Sequence, residues 1–235
     1  MPNDKIPGGP KTIGVIMDGN RRWAKEQSLP TMEGHKVGLK KIKDLTKWAK
    51  DLGVSTIYLY AFSTENWNRE KEEVNYLMKL FLQAFREDSK ELVKQKVRVK
   101  FAGQTERFFP ILRQSIKALE RMTKNFSGLT LVFCLSYGGR AEIVAAIKKI
   151  AKQKTAQEIE TLTEDDFSRF LWTNGLPNPE LVIRTSGEVR TSNFLPWQTA
   201  YSEWFFSKTY WPAFTKEELK QILEDFSKRE IRRGR

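Results

Sequence analysis

Apolar residues follow two alternating spacings along the chain, and the alternation predicts a sheet with helices packed against it. Short apolar runs rich in β-branched residues indicate buried strands. They occur at residues 12–17, 54–61, 97–102, 129–135, 181–184 and 201–206. Between these runs, apolar residues recur every three or four positions, as they do on one face of a helix. The pattern predicts an α/β fold with a six-stranded, mostly parallel sheet flanked by helices.

The helical segments carry their own start and stop signals. The apolar faces of the first two long helices are formed by Val37, Ile42, Leu45, Ala49 and Leu52, and then by Val74, Leu77, Met78, Phe81, Leu82 and Phe85. Further helices are predicted over 111–122 and 141–151, and the Thr163/Asp166 and Thr215/Glu218 pairs resemble capping boxes. The polar stretch 152–160 is too short to separate domains. One domain over residues 1–235 is therefore predicted, with residues 1–11 as a flexible lead-in.

Composition narrows the function classes less than the pattern does. The 41 basic and 29 acidic residues give a net charge of +12, which suits nucleic acid, anionic membranes or phosphorylated small molecules alike. The lysines are spread over many helices rather than along one stripe, which argues against nucleic acid. The single cysteine, Cys134, lies in an apolar run and excludes a disulfide framework. No apolar signal region or membrane span is visible, so a cytoplasmic protein is predicted.

The first strand leads into Asp18-Gly19-Asn20-Arg21-Arg22, where a strand turns sharply into a helix. Such a turn presents backbone N–H groups to an anion, and a glycine permits close approach. Arginines donate forked hydrogen bonds to phosphate. Asp18 would be repelled by that anion unless a cation bridges them, and Mg²⁺ is the usual bridge. The alternative is an ordinary turn, with Asp18 capping the helix and both arginines in solvent.

Three more strands are followed by residues suited to phosphate, and ligands bind outside the carboxyl ends of parallel strands. These segments are 62–69, 136–140 and 184–193. Arg184, Arg190 and Ser192 suit one diphosphate; alternatively, Arg184 forms a surface pair with Glu188 or Glu180. The Walker A and Gly-x-Gly-x-x-Gly patterns are absent, which disfavours nucleotide binding. The four segments together favour two phosphorylated ligands.

Other candidate residues keep more than one interpretation. His35, the only histidine, is either a structural or a functional residue, and its position near the first loop in sequence supports the functional interpretation. Trp23 and Trp67 are either core residues or shields for an apolar substrate. Glu203 lies among aromatic residues and needs a partner. It is a second metal ligand, a member of a salt bridge, or a residue that faces outward.

The motifs in these segments resemble those of the cis-prenyltransferases, the undecaprenyl diphosphate synthase family. The resemblance runs from near Thr12 to the C-terminus. It is carried by Met-Asp-Gly-Asn-Arg-Arg-Trp-Ala (17–24), Gly-His-Lys-Val-Gly (34–38), Ala-Phe-Ser-Thr-Glu-Asn-Trp-Asn-Arg (61–69), Ser-Tyr-Gly-Gly-Arg (136–140), Ile-Arg-Thr-Ser-Gly-Glu (183–188) and Ser-Asn-Phe-Leu-Pro-Trp-Gln (192–198). Several specific blocks in the same order are stronger than any one alone.

The resemblance implies repeated condensation of isopentenyl diphosphate onto an allylic diphosphate such as farnesyl diphosphate, giving a cis-polyprenyl diphosphate, undecaprenyl or similar. It implies Mg²⁺, held by Asp18 and Glu203, and a homodimer in which Arg232 and Gly234 complete the neighbouring site. Asp18 and Asn66 are the implied catalytic residues. The implied substrate-binding residues are Gly19, Asn20, Arg21, Arg22, Trp23, His35, Ser63, Thr64, Glu65, Trp67, Arg69, Arg184, Arg190, Thr191 and Ser192.

The implied chemistry needs an apolar tunnel for the growing chain, between the sheet and the helices. The helix that carries Val74 and Phe85 is the candidate wall, together with Leu129 and Leu131. Contact with a membrane is at most peripheral, for product release. The chain departs from the family pattern at Thr31, Ser186 and Val189, which concerns affinity rather than reaction class. The rival interpretations are a non-catalytic subunit of a two-protein enzyme and a basic nucleic-acid-binding protein.

Overall fold

In the computed structural model, which describes residues 4–229, six parallel strands form one sheet. The strands are β1 (Thr12–Ile16), β2 (Thr56–Ser63), β3 (Arg98–Ala102), β4 (Thr130–Tyr137), β5 (Leu181–Arg184) and β6 (Glu203–Phe206). Their order in the sheet is β3-β4-β2-β1-β5-β6, and every neighbouring pair is parallel. The predicted fold class is confirmed, with an all-parallel sheet where a mostly parallel one was predicted.

Helices follow each of the first four strands, whereas β5 and β6 are joined by a loop without a helix. The helices are α1 (Asn20–Glu26), α2 (Thr31–Asp51), α3 (Lys71–Gln83), α4 (Ser89–Lys94), α5 (Pro110–Thr123), α6 (Gly139–Gln153), α7 (Ala156–Glu160), α8 (Glu164–Ser168) and α9 (Lys216–Ser227). A single π-helical turn, Ala84–Asp88, joins α3 to α4. No helix within residues 4–229 is long and apolar enough to cross a membrane.

Strand β1 lies where the strand order reverses direction. All five of its residues are buried, and it pairs with β2 on one side and β5 on the other. The chain leaves β1 toward β2, β3 and β4, and it later returns to add β5 and β6 on the opposite side. A reversal of this kind opens a crevice at the carboxyl ends of the two central strands. The crevice here lies between the ends of β1 and β5.

Local hydrogen bonds explain where the elements differ from the predicted bounds. Strand β2 begins two residues later than predicted because the Val54 N–H donates to Ala49 O at the end of α2, at 2.9 Å. The polar stretch 152–160 contains a short helix, α7, which had not been predicted. Thr155 starts it with a full capping box to Glu158. Within the predicted lead-in, Ile6 is buried and its N–H donates to Leu52 O.

The core between the sheet and helices α2, α3 and α5 is apolar and aromatic. Phe81 and Phe85 stack on each other, and Phe85 also meets Phe101 and Phe133 edge to face. Two small apolar cavities, of about 50 and 80 Å³, lie against α2 and α3 and share Leu39, Ile42 and Leu80. They lie where the tunnel was predicted. Leu129 and Leu131, proposed as its wall, are buried in the core.

Candidate active site

The first loop is built around Gly19, which has a left-handed backbone with φ of 99°. A Cβ at this position would lie 2.7 Å from Tyr210 Cδ1 and 2.9 Å from Ser186 Cβ, so only glycine fits. Gly19 is the N-cap of α1, and its N–H donates to Asp18 Oδ1 at 2.7 Å. Asp18 therefore does not cap the helix, and its second oxygen is directed elsewhere.

Asp18 lies in the crevice between β1 and β5, where two arginines reach it. Arg184 Nη2 lies 2.8 Å from Asp18 Oδ2, and Arg22 Nη2 lies 3.5 Å from Oδ1. Partial burial would raise the pKa of Asp18, but the hydrogen bond and charge of Arg184, with smaller help from Gly19 and Arg22, lower it on balance. The carboxylate is therefore ionised at neutral pH, as a metal ligand must be.

Arg184 ends β5 and is buried, with 3% of its surface exposed. Its Nη1 donates to Arg190 O and Ser192 Oγ, each at 2.6 Å. Its Nε is buried and has no hydrogen-bond partner among the described residues. The surface pair with Glu188 or Glu180 is not formed, since Glu188 contacts Arg22 and Arg190 instead. The arginine thus organises the loop after β5 and holds the Asp18 carboxylate.

Arg22 connects the first loop to the loop after β5. Its Nη2 donates to Ser186 Oγ at 2.5 Å, and its Nη1 donates to Glu188 at 2.9 Å. The guanidinium also lies 5.6 Å from the ring centre of Tyr210. Arg22 is therefore held by protein groups rather than left in solvent, and its charge lies next to Asp18.

A second cationic group is assembled around Glu73, which the sequence analysis did not single out. His35 Nε2 lies 3.0 Å and Arg69 Nη1 lies 2.8 Å from Glu73 Oε1. Arg21 Nη1 lies 3.7 Å from Oε2. The three predicted phosphate-binding side chains, which come from α1, α2 and the segment before α3, are thus gathered on one carboxylate. Arg69 lies before α3 in extended backbone, so its spacing of four residues from Glu73 does not by itself predict this contact.

The segment after β2 forms a short 3₁₀ turn, Thr64–Asn68, closed by Ser63 and Asn66. Asn66 Oδ1 accepts the Ser63 N–H at 3.1 Å, and the side chain faces the cleft. Trp67 Nε1 donates to Ser136 Oγ at 2.9 Å while its ring packs on Phe62 and Phe108. Trp67 is therefore a packing residue as well as a neighbour of the cleft.

Two adjoining clefts collect most of the predicted site residues. One, of about 570 Å³, is lined by the ends of β1, β2 and β5; the other, of about 830 Å³, is lined by α1 and the start of α2. Asp18, Asn20, His35 and Arg69 line both. Ser63, Glu65, Arg190 and Ser192 line the first cleft, and Gly19, Arg21 and Arg22 line the second. Thr64, Trp67, Thr191 and Trp23 are neighbours in sequence of these lining residues.

Glu203 is not brought to this site within the chain. It begins β6 opposite Leu181, at the edge of the sheet away from Asp18, and contacts Arg229. Arg232 and Gly234 lie outside the described residues. Within residues 4–229, no group of three or more His, Cys, Asp or Glu side chains could hold a metal ion. A divalent cation would therefore be held by Asp18 together with a ligand's own oxygens.

Comparison with known proteins identifies both the family and the fold of this chain. A family model described as "Putative undecaprenyl diphosphate synthase" matches residues 16–234. Ditrans,polycis-undecaprenyl-diphosphate synthase ((2E,6E)-farnesyl-diphosphate specific) of Micrococcus luteus is 45% identical over 230 residues, covering 96% of this chain and 91% of that protein. Isoprenyl transferase of Thermotoga maritima is 42% identical over 225 residues, covering 96% and 97%.

Solved structures agree with the sequence relatives. Lavandulyl diphosphate synthase from Lavandula x intermedia, in complex with dimethylallyl diphosphate, superposes with a TM-score of 0.92 at 32% identity over 98% of this chain and 100% of that one. A probable undecaprenyl diphosphate synthase from Campylobacter jejuni gives a TM-score of 0.80 at 32% identity over 96% and 99%.

Proposed function

This chain belongs to the undecaprenyl diphosphate synthase family, and on that premise we propose that it condenses isopentenyl diphosphate repeatedly onto an allylic diphosphate. The predicted family and the predicted class of prenyltransferase are confirmed. Farnesyl diphosphate is the proposed primer, and undecaprenyl diphosphate or a similar cis-polyprenyl diphosphate is the proposed product. The residues 1–235 would act as one domain.

The observation that carries the proposal is the ionised Asp18 in the crevice between β1 and β5, with cationic groups on both sides. One group contains Arg21, His35 and Arg69, which line the cleft of about 830 Å³, here called the wider cleft. The other group contains Arg184 and Arg190, which line the cleft of about 570 Å³, here called the narrower cleft. Two cationic groups flanking one carboxylate suit two diphosphates placed side by side.

The two groups divide the substrates between them in this proposal. The allylic diphosphate lies against Gly19 and the N–H group of Asn20, with Arg21, Arg22 and His35 beside it. Isopentenyl diphosphate lies against Arg184, Arg190 and Ser192. Fixed donors around the first diphosphate stabilise the charge that develops as it leaves. The allylic carbon becomes electron-poor, the double bond of isopentenyl diphosphate attacks it, and a proton is then lost.

Asn66 faces the same cleft, but its neutral amide is a poor base. Its Oδ1 already accepts the Ser63 N–H, so an orienting role fits its contacts. An oxygen of the departing diphosphate is the competing proton acceptor.

The donor set around Asp18 fits Mg²⁺. Mg²⁺ binds through one or two carboxylates together with substrate phosphates, and it prefers hard oxygen ligands. Asp18 supplies one such carboxylate, held by Arg184 and Arg22 and directed into the crevice. When bound, the cation would neutralise charge on the departing diphosphate. The second proposed ligand, Glu203, would need a second copy of the chain, because within this one it lies at the amino end of β6, whereas Asp18 follows the carboxyl end of β1.

We also propose a homodimer, which the family resemblance implies. Glu203 and the C-terminal Arg232 and Gly234 would complete the site of the neighbouring copy, and light scattering tests whether the chain is a dimer. The proposed cytoplasmic location is tested by fractionation of cells that produce the chain. Binding to a membrane would be peripheral, during product release.

The decisive experiment incubates the protein with radiolabelled isopentenyl diphosphate, farnesyl diphosphate and Mg²⁺. We expect an extractable labelled polyprenyl diphosphate, whose length chromatography gives after long incubation, and we expect EDTA to abolish it. Absence of product together with salt-sensitive binding of RNA or DNA would favour the nucleic-acid-binding interpretation. Product that forms only on addition of a second protein would favour the non-catalytic subunit.

A further inference from the structure

Glu73 is a buried carboxylate to which the proposed reaction assigns no role. It lies in the first turn of α3, and 8% of its surface is exposed. Its neighbour Glu72 lies in the same turn and is exposed. An acid in the first turn of a helix interacts favourably with the helix dipole. Glu72 can do this from the surface, so the inward position of Glu73 needs another explanation.

The contacts of Glu73 supply that explanation. One carboxylate connects Arg21 on α1, His35 on α2 and Arg69 before α3, at 3.7, 3.0 and 2.8 Å. Arg21 lines only the wider of the two clefts, and His35 and Arg69 line both. No contact of Glu73 reaches Arg184, Arg190 or Ser192 among the described hydrogen bonds and ion pairs. Glu73 therefore organises the cationic side chains from α1, α2 and the segment before α3, and it does not contact the loop after β5.

Glu73 is ionised in this setting. Burial would raise its pKa, but the charge of Arg69, the hydrogen bond to His35 and the charge of Arg21 more than offset that effect and lower it. An ionised carboxylate only accepts hydrogen bonds. His35 must therefore carry its proton on Nε2 to bond with Glu73, which leaves Nδ1 without a proton while the ring is neutral. Burial, opposed by Glu73 but aided by Arg69 and Arg21, lowers the pKa of His35.

We propose that Glu73 is a positioning residue, which holds Arg21, His35 and Arg69 in the geometry that receives the allylic diphosphate. This inference rests on the proposed function, because it assigns the wider cleft to that substrate. Before the substrate arrives, the carboxylate contacts His35, Arg69 and Arg21 at once and so keeps the three side chains close together. The diphosphate then meets donors whose positions are already fixed, which lowers the cost of ordering them.

A positioning role and simple charge repulsion predict opposite changes in anion affinity when Glu73 is removed. Removing a negative charge beside an anion site should improve anion binding if the charge acts only through Coulomb repulsion. If Glu73 positions the cations, its removal weakens anion binding, because two long arginine side chains and the imidazole lose their shared partner. The direction of the change in affinity therefore separates the two roles.

The experiment compares Glu73→Gln with Glu72→Gln, a matched control that loses the same charge from the same helical turn. Binding of inorganic pyrophosphate is measured by calorimetry on the untagged full chain. We expect the dissociation constant to rise about tenfold in Glu73→Gln, in line with the cost of misplacing binding groups. In Glu72→Gln we expect a change of less than about twofold, as for a surface charge in solvent.

Steady-state kinetics gives a second readout. We expect Glu73→Gln to raise the KM for the allylic diphosphate about tenfold and to leave the KM for isopentenyl diphosphate within about twofold. Glu73→Asp keeps the charge but withdraws it by one methylene, and we expect an intermediate value. It also keeps the test decisive if thermal unfolding shows that Glu73→Gln is not folded.

The only histidine gives a third readout, because the imidazole signals in a nitrogen-correlated NMR spectrum belong to His35 alone. We expect the Nε2-protonated form in the wild type at neutral pH, and a mixture of tautomers in Glu73→Gln, since an amide can donate or accept. Equal or tighter pyrophosphate binding by folded Glu73→Gln, with unchanged KM values, would overturn the positioning role. Failure of the wild type to bind pyrophosphate at all would instead contradict the proposed function.

Discussion

Two carboxylates near the carboxyl edge of the sheet, Glu73 and Glu142, are both buried but have opposite surroundings. Glu73 is surrounded by two arginines and a histidine, which keep it ionised. Glu142, at the start of α6, accepts from the Tyr137 hydroxyl at 2.5 Å, from Gln198 Nε2 at 2.9 Å and from the Trp172 N–H at 2.9 Å. All of its donors are neutral, so burial prevails over these hydrogen bonds and raises its pKa.

Burial alone therefore does not decide whether a carboxylate is ionised or which contacts it makes. Cations around Glu73 and Asp18 keep negative charge in place, where it can organise arginines or share a metal. Glu142, surrounded by neutral donors, instead accepts hydrogen bonds that join β4 to the segments around residues 172 and 198. The first kind of site has the charges that ligand binding would need, and the second joins backbone segments behind the cleft.

The strongest change in activity should follow from removing the charge of Asp18, which cations hold ionised as they do Glu73. Asp18→Asn keeps the shape of the side chain but removes its charge, so the rate of product formation with both substrates and Mg²⁺ should fall by about 10³-fold or more. Folding should be retained, because Arg184 keeps its bonds to Arg190 and Ser192. Turnover at the wild-type rate, from protein with an unchanged melting temperature, would contradict the metal-bridging role.

A smaller effect, on stability rather than turnover, is expected on the neutral side. Glu142→Gln places an amide donor among donors and should cost about 1 to 3 kcal/mol in the free energy of unfolding at pH 4. Because folding raises the pKa of Glu142 above its ordinary value of 4.5, its contribution is full below that pH and is lost as the pH rises.

Urea unfolding at a series of pH values checks the prediction for Glu142. The gap in stability between wild type and Glu142→Gln should narrow as the pH rises above about 4.5, the ordinary value of the group. A gap that widens with pH would mean that Glu142 is held ionised, like Glu73, and would remove the distinction between the two sites.

The smallest effect is expected at Ser186, which holds Arg22 near Asp18. Its backbone is left-handed, with φ of 80°, and glycine is favoured there. Ser186→Gly should gain about 0.5 to 1 kcal/mol of stability from the relaxed backbone. It should also raise the KM for the allylic diphosphate about threefold, because the hydroxyl bond to Arg22 is lost. Equal KM values in the two proteins would show that Glu188 alone is sufficient to hold Arg22.

The strand pattern and the loop chemistry could be predicted because both are local in sequence. The strands are short apolar runs, and glycine, arginine or hydroxyl residues directly follow four of them. The helix α7 was missed although Thr155 and Glu158 show the same spacing as Thr163 and Asp166, which was recognised. The polar composition of 152–160 masked a signal that was already available.

Glu73 and Glu142 could not be assigned from local sequence, for a physical reason. Each lies near the N-terminus of a helix, where an acid is equally favourable in solvent. Only the packing of α2 against α3, and of the 172 and 198 segments on α6, turns these two inward. Likewise, Glu203 stands in the family motif, but its place at the far edge of the sheet depends on the order of strands rather than on its neighbours in sequence.

The position of β1 between β2 and β5 also has a consequence for synthesis on the ribosome. Asp18 emerges early, whereas its partner Arg184 follows 166 residues later. Until β5 is made, one edge of β1 has no strand beside it and the aspartate lacks its strongest counter-charge. A nascent chain that stops before residue 181 therefore has no crevice between β1 and β5, and its open strand edge is a template for unwanted pairing.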